Sequence, residues 1–312
     1  MAAPTKPSKL EALGHATEWL NSPPLTPAGL RGKVVLVQFW TYSCVNWLRT
    51  MPWIRDWAEK YRDQGLVVIG VHSPEFGFEK QMPNIRWGAK HYRVDYPIAV
   101  DNDFAVWRGF GNEYWPALYL FDGEGNLGHR KFGEGAYEET ERAIQKLLAE
   151  TGATGIGRDL ASVAPGGVEA QADWDAVRSP ETYLGTDRGE NRVSTPAKLR
   201  LNQWALSGAW TVGGEQAVLD KADGRLTYRF HARDLNLVMG PGAAGRPVRF
   251  RVLIDEQPPG GAHGVDVDEQ GNGTVAEPRM YQLIRQPGTV ADRRFEIRFL
   301  DPGVEVFVFT FG

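Results

Sequence analysis

Chemistry in this chain concentrates in one stretch, Phe39 to Trp53, FWTYSCVNWLRTMPW, which holds the only cysteine, Cys44. A cysteine thiolate attacks disulfides and peroxides. It is stabilised where unsatisfied backbone N–H groups and the helix dipole meet it at a helix start. The residues from Cys44 to Arg62 have helical composition, with Pro52 set to kink the helix. Cys44 therefore falls at a first helical turn, where its pKa is expected to drop. Three residues on, where a second thiol would complete a C-x-x-C pair, stands Trp47. A thiol so placed forms a mixed disulfide or a sulfenic acid and is released by a thiol from elsewhere. Against this stands the plain reading of a single cysteine as a small buried hydrophobe. Far downstream, Tyr114-Trp115-Pro116-Ala117 sets a proline directly before a strand, a candidate cis peptide bond in a tight turn.

The elements that must position these residues alternate. Lys33 to Trp40 (KVVLVQFW) and Leu66 to His72 (LVVIGVH) are apolar, β-branched runs of the kind buried in a parallel sheet. Helical composition covers Cys44 to Arg62, then Phe78 to Arg93 with Pro83 near its start. Pro97 to Val100 is a short strand, and Asp103 to Phe110 a short helix capped by Asp101 or Asp103. Ala117 to Asp122 and Gly128 to Phe132 form a hairpin, and Tyr137 to Glu150 an amphipathic helix. This alternation predicts an α/β sandwich with helices on both faces of a sheet, over residues 1–151.

From Gly152 the pattern changes. Gly152 to Gly167 is rich in Gly, Ala and Pro, and residues 152–194 read as a linker and crossing segment. Over residues 195–312, short alternating runs (KLRLNQWAL, RLTYRFHA, PVRFRVLID, RMYQLIRQ, RRFEIRFL, VEVFVFTF) are punctuated by Gly and Pro. They predict an antiparallel β-sandwich or jelly roll.

The bulk properties exclude some functions. A net charge of −4 without a basic patch argues against a nucleic-acid binder. No apolar run approaches the roughly 20 residues that span a bilayer. The first residues, MAAPTKPSKLEALG, lack the apolar centre of a signal peptide. A cytoplasmic location is therefore expected, or a periplasmic or other extracytoplasmic one if a leader has been removed.

Trp40, Cys44, Pro52 and Pro116 stand at thioredoxin spacing, and the segment Phe78 to Arg93 resembles the extra helix of the TlpA-like branch. The wording FWTYSCVNW, VIGVHSPEFGFEK, YPIAVDND, YWPALYLFD and KFGEG is similar to the DipZ-type thioredoxin-like domain. That family also carries a carbohydrate-binding-module-like β-domain, which fits the second half. The resemblance implies a thioredoxin-like α/β domain in which Cys44 is the nucleophile and Pro116 the cis-proline facing it. It also makes Glu75 and Glu134 polar neighbours of the site. Two departures are visible. Trp47 replaces the resolving cysteine, and Gln38 stands where thioredoxins carry a buried acid.

Thr41-Tyr42-Ser43-Cys44 also satisfies T-x-x-C, which resembles part of the peroxiredoxin signature, with Thr41 helping to position peroxide. Val37 replaces the proline that opens that signature. The expected site is Cys44 and Thr41 as catalytic residues. Trp40, Trp47, Trp115, Pro116 and Glu75 form a substrate-facing rim. The expected function is redox chemistry through one thiol, as a peroxide reductase or a monothiol disulfide exchanger. The alternative is a redox-inert module holding an extended peptide or glycan in the cis-proline groove.

The expected partners are an external thiol reductant or a protein substrate, with a glycan or protein partner on the β-domain. No cofactor or metal is expected: the six histidines show no ligand spacing, and His72 is more simply structural. Asp266 to Glu277 (DVDEQGNGTVAE) has the acidic and glycine positions of an EF-hand loop, but without flanking helices it reads as a hairpin turn. Of the aromatics in the second half, Trp174, Trp204, Trp210 and Tyr281 are either core or platforms for a sugar ring.

Overall fold

The structure, a computed structural model, describes residues 8–242 and 245–312. The chain forms two compact units, Met1–Glu169 and Ala170–Gly312.

The first unit is built on β1 (Glu18–Leu20), β2 (Val34–Trp40), α1 (Val45–Lys60), β3 (Leu66–His72), α2 (Met82–His91), β4 (Ile98–Val100), α3 (Ala105–Phe110), β5 (Ala117–Phe121), β6 (Leu127–Phe132) and α4 (Tyr137–Glu150). The strands form one sheet in the order β1-β4-β3-β2-β5-β6. β2 runs parallel to β3, and β3 to β4; the other pairings are antiparallel.

Every residue of β2 is buried, which explains why its sequence is a continuous apolar run rather than an alternation. Successive side chains still go to opposite faces. Val35, Val37 and Phe39 join a core with Leu10, Leu13, Val106 and Phe110. Gln38 points the other way and bonds Thr50 of α1 at 2.9 Å.

The sequence leaves three features of this unit unread or misplaced. A 3-10 turn at Lys9–His15 and strand β1, paired with β4, precede β2. The helix expected from Phe78 to Arg93 divides into a 3-10 turn, Gly77–Lys80, and α2, with Pro83 in the first turn of α2. Of the two caps expected for α3, Asp101 is the one used: its carboxylate accepts from the N–H groups of Val106 and Trp107 at 2.8 and 2.9 Å.

Part of the Gly-rich stretch is also tied down. The Ala161 N–H donates to Glu141 at 2.7 Å, and Arg55 holds both oxygens of Glu169 at 2.8 and 2.7 Å.

The second unit is a pair of antiparallel sheets. One orders Arg279–Arg285, Asp234–Gly240, Glu305–Phe311, Ala217–Leu219 and Trp210–Val212, with Thr182–Tyr183 also on Glu305–Phe311. The other orders Asn272–Val275, Val248–Ile254, Arg293–Phe299, Arg225–Phe230 and Trp204–Ser207. Leu235, Tyr281 and Phe309 of the first share a core with Tyr228, Phe250 and Phe295 of the second.

Trp204 and Tyr281 belong to that core, whereas Trp210 is half-buried and Trp174 exposed. In the turn at Asp266 to Glu277, Asp268 accepts from Asn272, and Asp266 from Arg279 and the Gln282 N–H. Among the described residues no group of three His, Cys, Asp or Glu is placed to hold a metal ion. None of their helices is long and apolar enough to cross a membrane.

Candidate functional site

Cys44 is the N-cap of α1, with extended backbone dihedrals, and its side chain is half-buried. Its N–H donates to the Thr41 carbonyl and its own carbonyl accepts the first helical bond, from Leu48. The thiol therefore sits where the first N–H groups of a sixteen-residue helix point. The Trp115–Pro116 peptide bond is cis. It brings the Trp115 carbonyl oxygen to 3.9 Å from Cys44 Sγ, and the Trp115 indole N–H donates to the Ser73 carbonyl at 3.0 Å. The cis-proline turn thus meets the start of α1 at the sulfur, and the end of β3 holds the Trp115 ring.

The tryptophans divide. Trp115 is half-buried beside the thiol, and Pro116 is buried. Trp40 and Trp47 are not a rim: both are wholly buried and stack on each other with ring centroids 4.5 Å apart. The cause is helix geometry. Trp47 is one turn into α1 on the face turned toward β2, so its indole enters the core.

There the indole N–H donates to Gln38 Oε1 at 3.3 Å. The same oxygen accepts from the Tyr96 hydroxyl at 3.1 Å, and the Gln38 amide donates to Thr50. The two departures from the thioredoxin pattern, Trp47 and Gln38, are therefore the two ends of one hydrogen bond.

Thr41 is also fully buried, its hydroxyl closed off from solvent and without a hydrogen-bond partner, rather than presented beside the thiol. This is a correction to its expected role beside a peroxide. The cause is the position of Thr41 directly after a strand buried on both faces. Glu75 enters through its backbone: its N–H donates to Glu79 Oε2 at 2.6 Å. Glu134 forms a buried ion pair with Arg49 at 3.0 Å. Burial raises its pKa, and Arg49 pulls it back. His72 lies in the core between the rings of Trp40 and Tyr42, and burial pushes its pKa down to about 3, so it is neutral and structural.

The residue that sequence reasoning missed is Glu79. Its carboxyl is wholly buried and accepts from the Ser43 hydroxyl at 2.6 Å, one residue before the thiol. Its other oxygen accepts from the N–H groups of Glu75 and Phe76. Burial raises its pKa to about 7, against the pull of the Ser43 and Thr41 hydroxyls. The signal for it lay in PEFGFEK, where Glu79 directly follows the aromatic pair Phe76 and Phe78. A groove of about 850 Å³ lined by Arg55, Asp56, Arg62, Arg93 and Val163 does not include Cys44.

Known proteins show the same division of the chain. Residues 32–127 match the family model described as thioredoxin-like, and residues 179–312 the one described as thioredoxin like C-terminal domain. Protein DipZ of Mycobacterium bovis is 34% identical over 328 residues, covering 98% of this chain and 44% of that protein. The chain thus spans less than half the length of DipZ. The thiol-disulfide oxidoreductase YkuV of Bacillus subtilis is 35% identical over 133 residues, covering 43% of this chain and 89% of that protein. A solution structure of a thioredoxin-like protein in the oxidised form, 35% identical, covers 43% of this chain and 90% of its own, with a TM-score of 0.40. With a thioredoxin-like fold, a cysteine at the start of α1 and a cis-proline beside it, the chain belongs to the thioredoxin-like family of thiol-disulfide oxidoreductases.

Proposed function

We propose that the protein exchanges disulfides through Cys44 as a monothiol. The Cys44 thiolate attacks one sulfur of a substrate disulfide, forming a mixed disulfide and expelling the other sulfur as a thiolate. The mixed disulfide is then resolved by an external thiol, because position 47 presents an indole buried in the core. The observation that carries the reading is the half-buried thiol at the start of α1, 3.9 Å from the carbonyl that precedes the cis-proline. Backbone N–H groups at a helix start stabilise a thiolate, and an extended strand of substrate can lie against the carbonyl edge beside it. Disulfide exchange is favoured over peroxide reduction because Thr41 is turned inward. The substrate is a protein disulfide and the reductant an external thiol.

The test is incubation of the native chain with oxidised glutathione, followed by intact mass. One adduct per chain, mapped to Cys44 and removed by added thiol, is the expected result. Modification only in denaturant would instead favour the redox-inert binding module.

A further inference from the structure

Disulfide exchange moves a proton as well as electrons, and Gln38 cannot carry one. It does not titrate, and its amide is engaged by Trp47, Tyr96 and Thr50. We propose that Glu79 is the positioning residue that carries this proton for Cys44, acting through the Ser43 hydroxyl. The proposal rests on the disulfide-exchange reading above.

The geometry is specific. Glu79 Oε2 is pinned by the N–H groups of Glu75 and Phe76, which leaves Oε1 for Ser43, at 2.6 Å. Both Glu79 and Ser43 are closed to solvent, and Ser43 directly precedes Cys44 in the chain. The groups facing the carboxyl are the hydroxyls of Ser43 and Thr41, the Tyr42 phenol, which burial and Glu79 together keep neutral, and the Glu75 carboxylate, which opposes ionisation. Burial, aided by Glu75 and opposed by the hydroxyls, poises Glu79 to take and return a proton near neutral pH, where a general acid or base works best.

In the forward step the Cys44 proton passes by way of Ser43 to the Glu79 carboxylate, and Cys44 Sγ attacks the substrate disulfide. An S–S bond forms to Cys44 as the substrate's own S–S bond breaks. The Cys44 sulfur is oxidised, the departing sulfur is reduced, and Glu79 returns the proton by the same route to the departing thiolate.

The test compares two disulfides on the full chain. Hydroxyethyl disulfide expels a basic alkyl thiolate that needs a proton, whereas an aromatic nitrobenzoate disulfide expels a thiolate stable without one. Glu79→Gln is expected to slow the alkyl exchange about a hundred-fold more than the aromatic exchange, the low end of a general-acid contribution. Ser43→Ala should give the same selective loss. In the wild-type chain the ratio of alkyl to aromatic rate should fall once the pH is high enough that Cys44 and Glu79 have together lost the proton they share, because the departing alkyl thiolate then has none to collect. This last measurement needs no variant and stands if Glu79→Gln does not fold. Equal slowing of both disulfides by the variants, or a flat wild-type ratio, overturns the role of Glu79 while leaving exchange at Cys44 intact. If neither disulfide reacts with the native wild-type chain, the exchange reading itself falls, and the role of Glu79 with it.

Discussion

Trp47 fills volume in the core and donates to Gln38 Oε1, so restoring a cysteine there does not simply restore a dithiol. Trp47→Cys removes an indole stacked on Trp40 at 4.5 Å and set edge-on to Tyr92 at 5.6 Å. Truncating a buried tryptophan costs about 3–5 kcal/mol through lost transfer energy and the cavity left behind. A thermal scan should show the midpoint of the first unit falling by roughly ten degrees. A variant as stable as its parent would mean that the indole contributes little packing and that position 47 is open to the surface. A count of accessible thiols on the folded, mildly oxidised variant then reports separately whether positions 44 and 47 can bridge. Any disulfide gained would offset part of the packing loss, so the reduced protein is the one to melt.

At the scale of elements, most of the first unit was legible because its strands are long apolar runs and its helices lie between clear breakers. β2, β3, α1 and α4 fall within a residue or two of where composition put them. β1 was missed because three residues, half-buried and on an edge, carry no periodic signal. Asp234–Gly240 was missed for the opposite reason. It is buried along its whole length, but Asp234 and Asn236, held by Arg285 and Thr310, interrupt the apolar run that would have marked it. Cys44, Pro52 and Pro116 could be read from local spacing. The Ser43–Glu79 and Arg49–Glu134 contacts could not, since their partners are 36 and 85 residues apart in sequence.

The docking of α2 tests this element-level packing. Gly88 on α2 lies under the Tyr42 ring, and a Cβ there would come within 2.8 Å of that ring. Alanine gains about 1 kcal/mol of helix propensity over glycine, but overpacking a closed core costs about 1–3 kcal/mol. Because Tyr42 is wholly buried and has no room to retreat, overpacking wins. Gly88→Ala is expected to lower the denaturation midpoint, and a rise would show that α2 is held loosely. Tyr42 directly precedes Ser43, so the same variant should also disturb the turn that presents the thiol.

Over the whole molecule, the first unit ends later than its composition indicates, at Glu169. Composition placed its close at Thr151 and assigned residues 152–194 to a linker, yet residues 159–169 are bound to α1 and α4. Lys60 donates to the Asp159 carbonyl, Ala161 to Glu141, and Arg55 grips Glu169 with two bonds. Glu141 is buried, which alone would raise its pKa. The bonds from Ala161, Lys60 and Tyr61 outweigh that and hold it below the ordinary carboxylate value. A chain cut after Thr151 loses the Ala161 donor and the Glu169 pair, while a chain cut after Glu169 keeps both. A hydrogen bond to a charged acceptor contributes about 1.5–3 kcal/mol, and a partly exposed ion pair up to about 1 kcal/mol. The fragment 1–169 should therefore exceed 1–151 in unfolding free energy by about 3 kcal/mol at neutral pH. The pH dependence has a definite sign. A carboxyl whose folded pKa is depressed contributes stability that is fully present above its unfolded value, about 4.3, and lost as pH falls through the folded value. The gap between the two fragments should accordingly persist from neutral pH down to about 5 and narrow below about 4. Denaturant melts of both fragments across that range decide the matter. Equal midpoints at neutral pH would return residues 152–169 to the status of linker, and a gap that widens in acid would show that Glu141 is not the group that binds the segment.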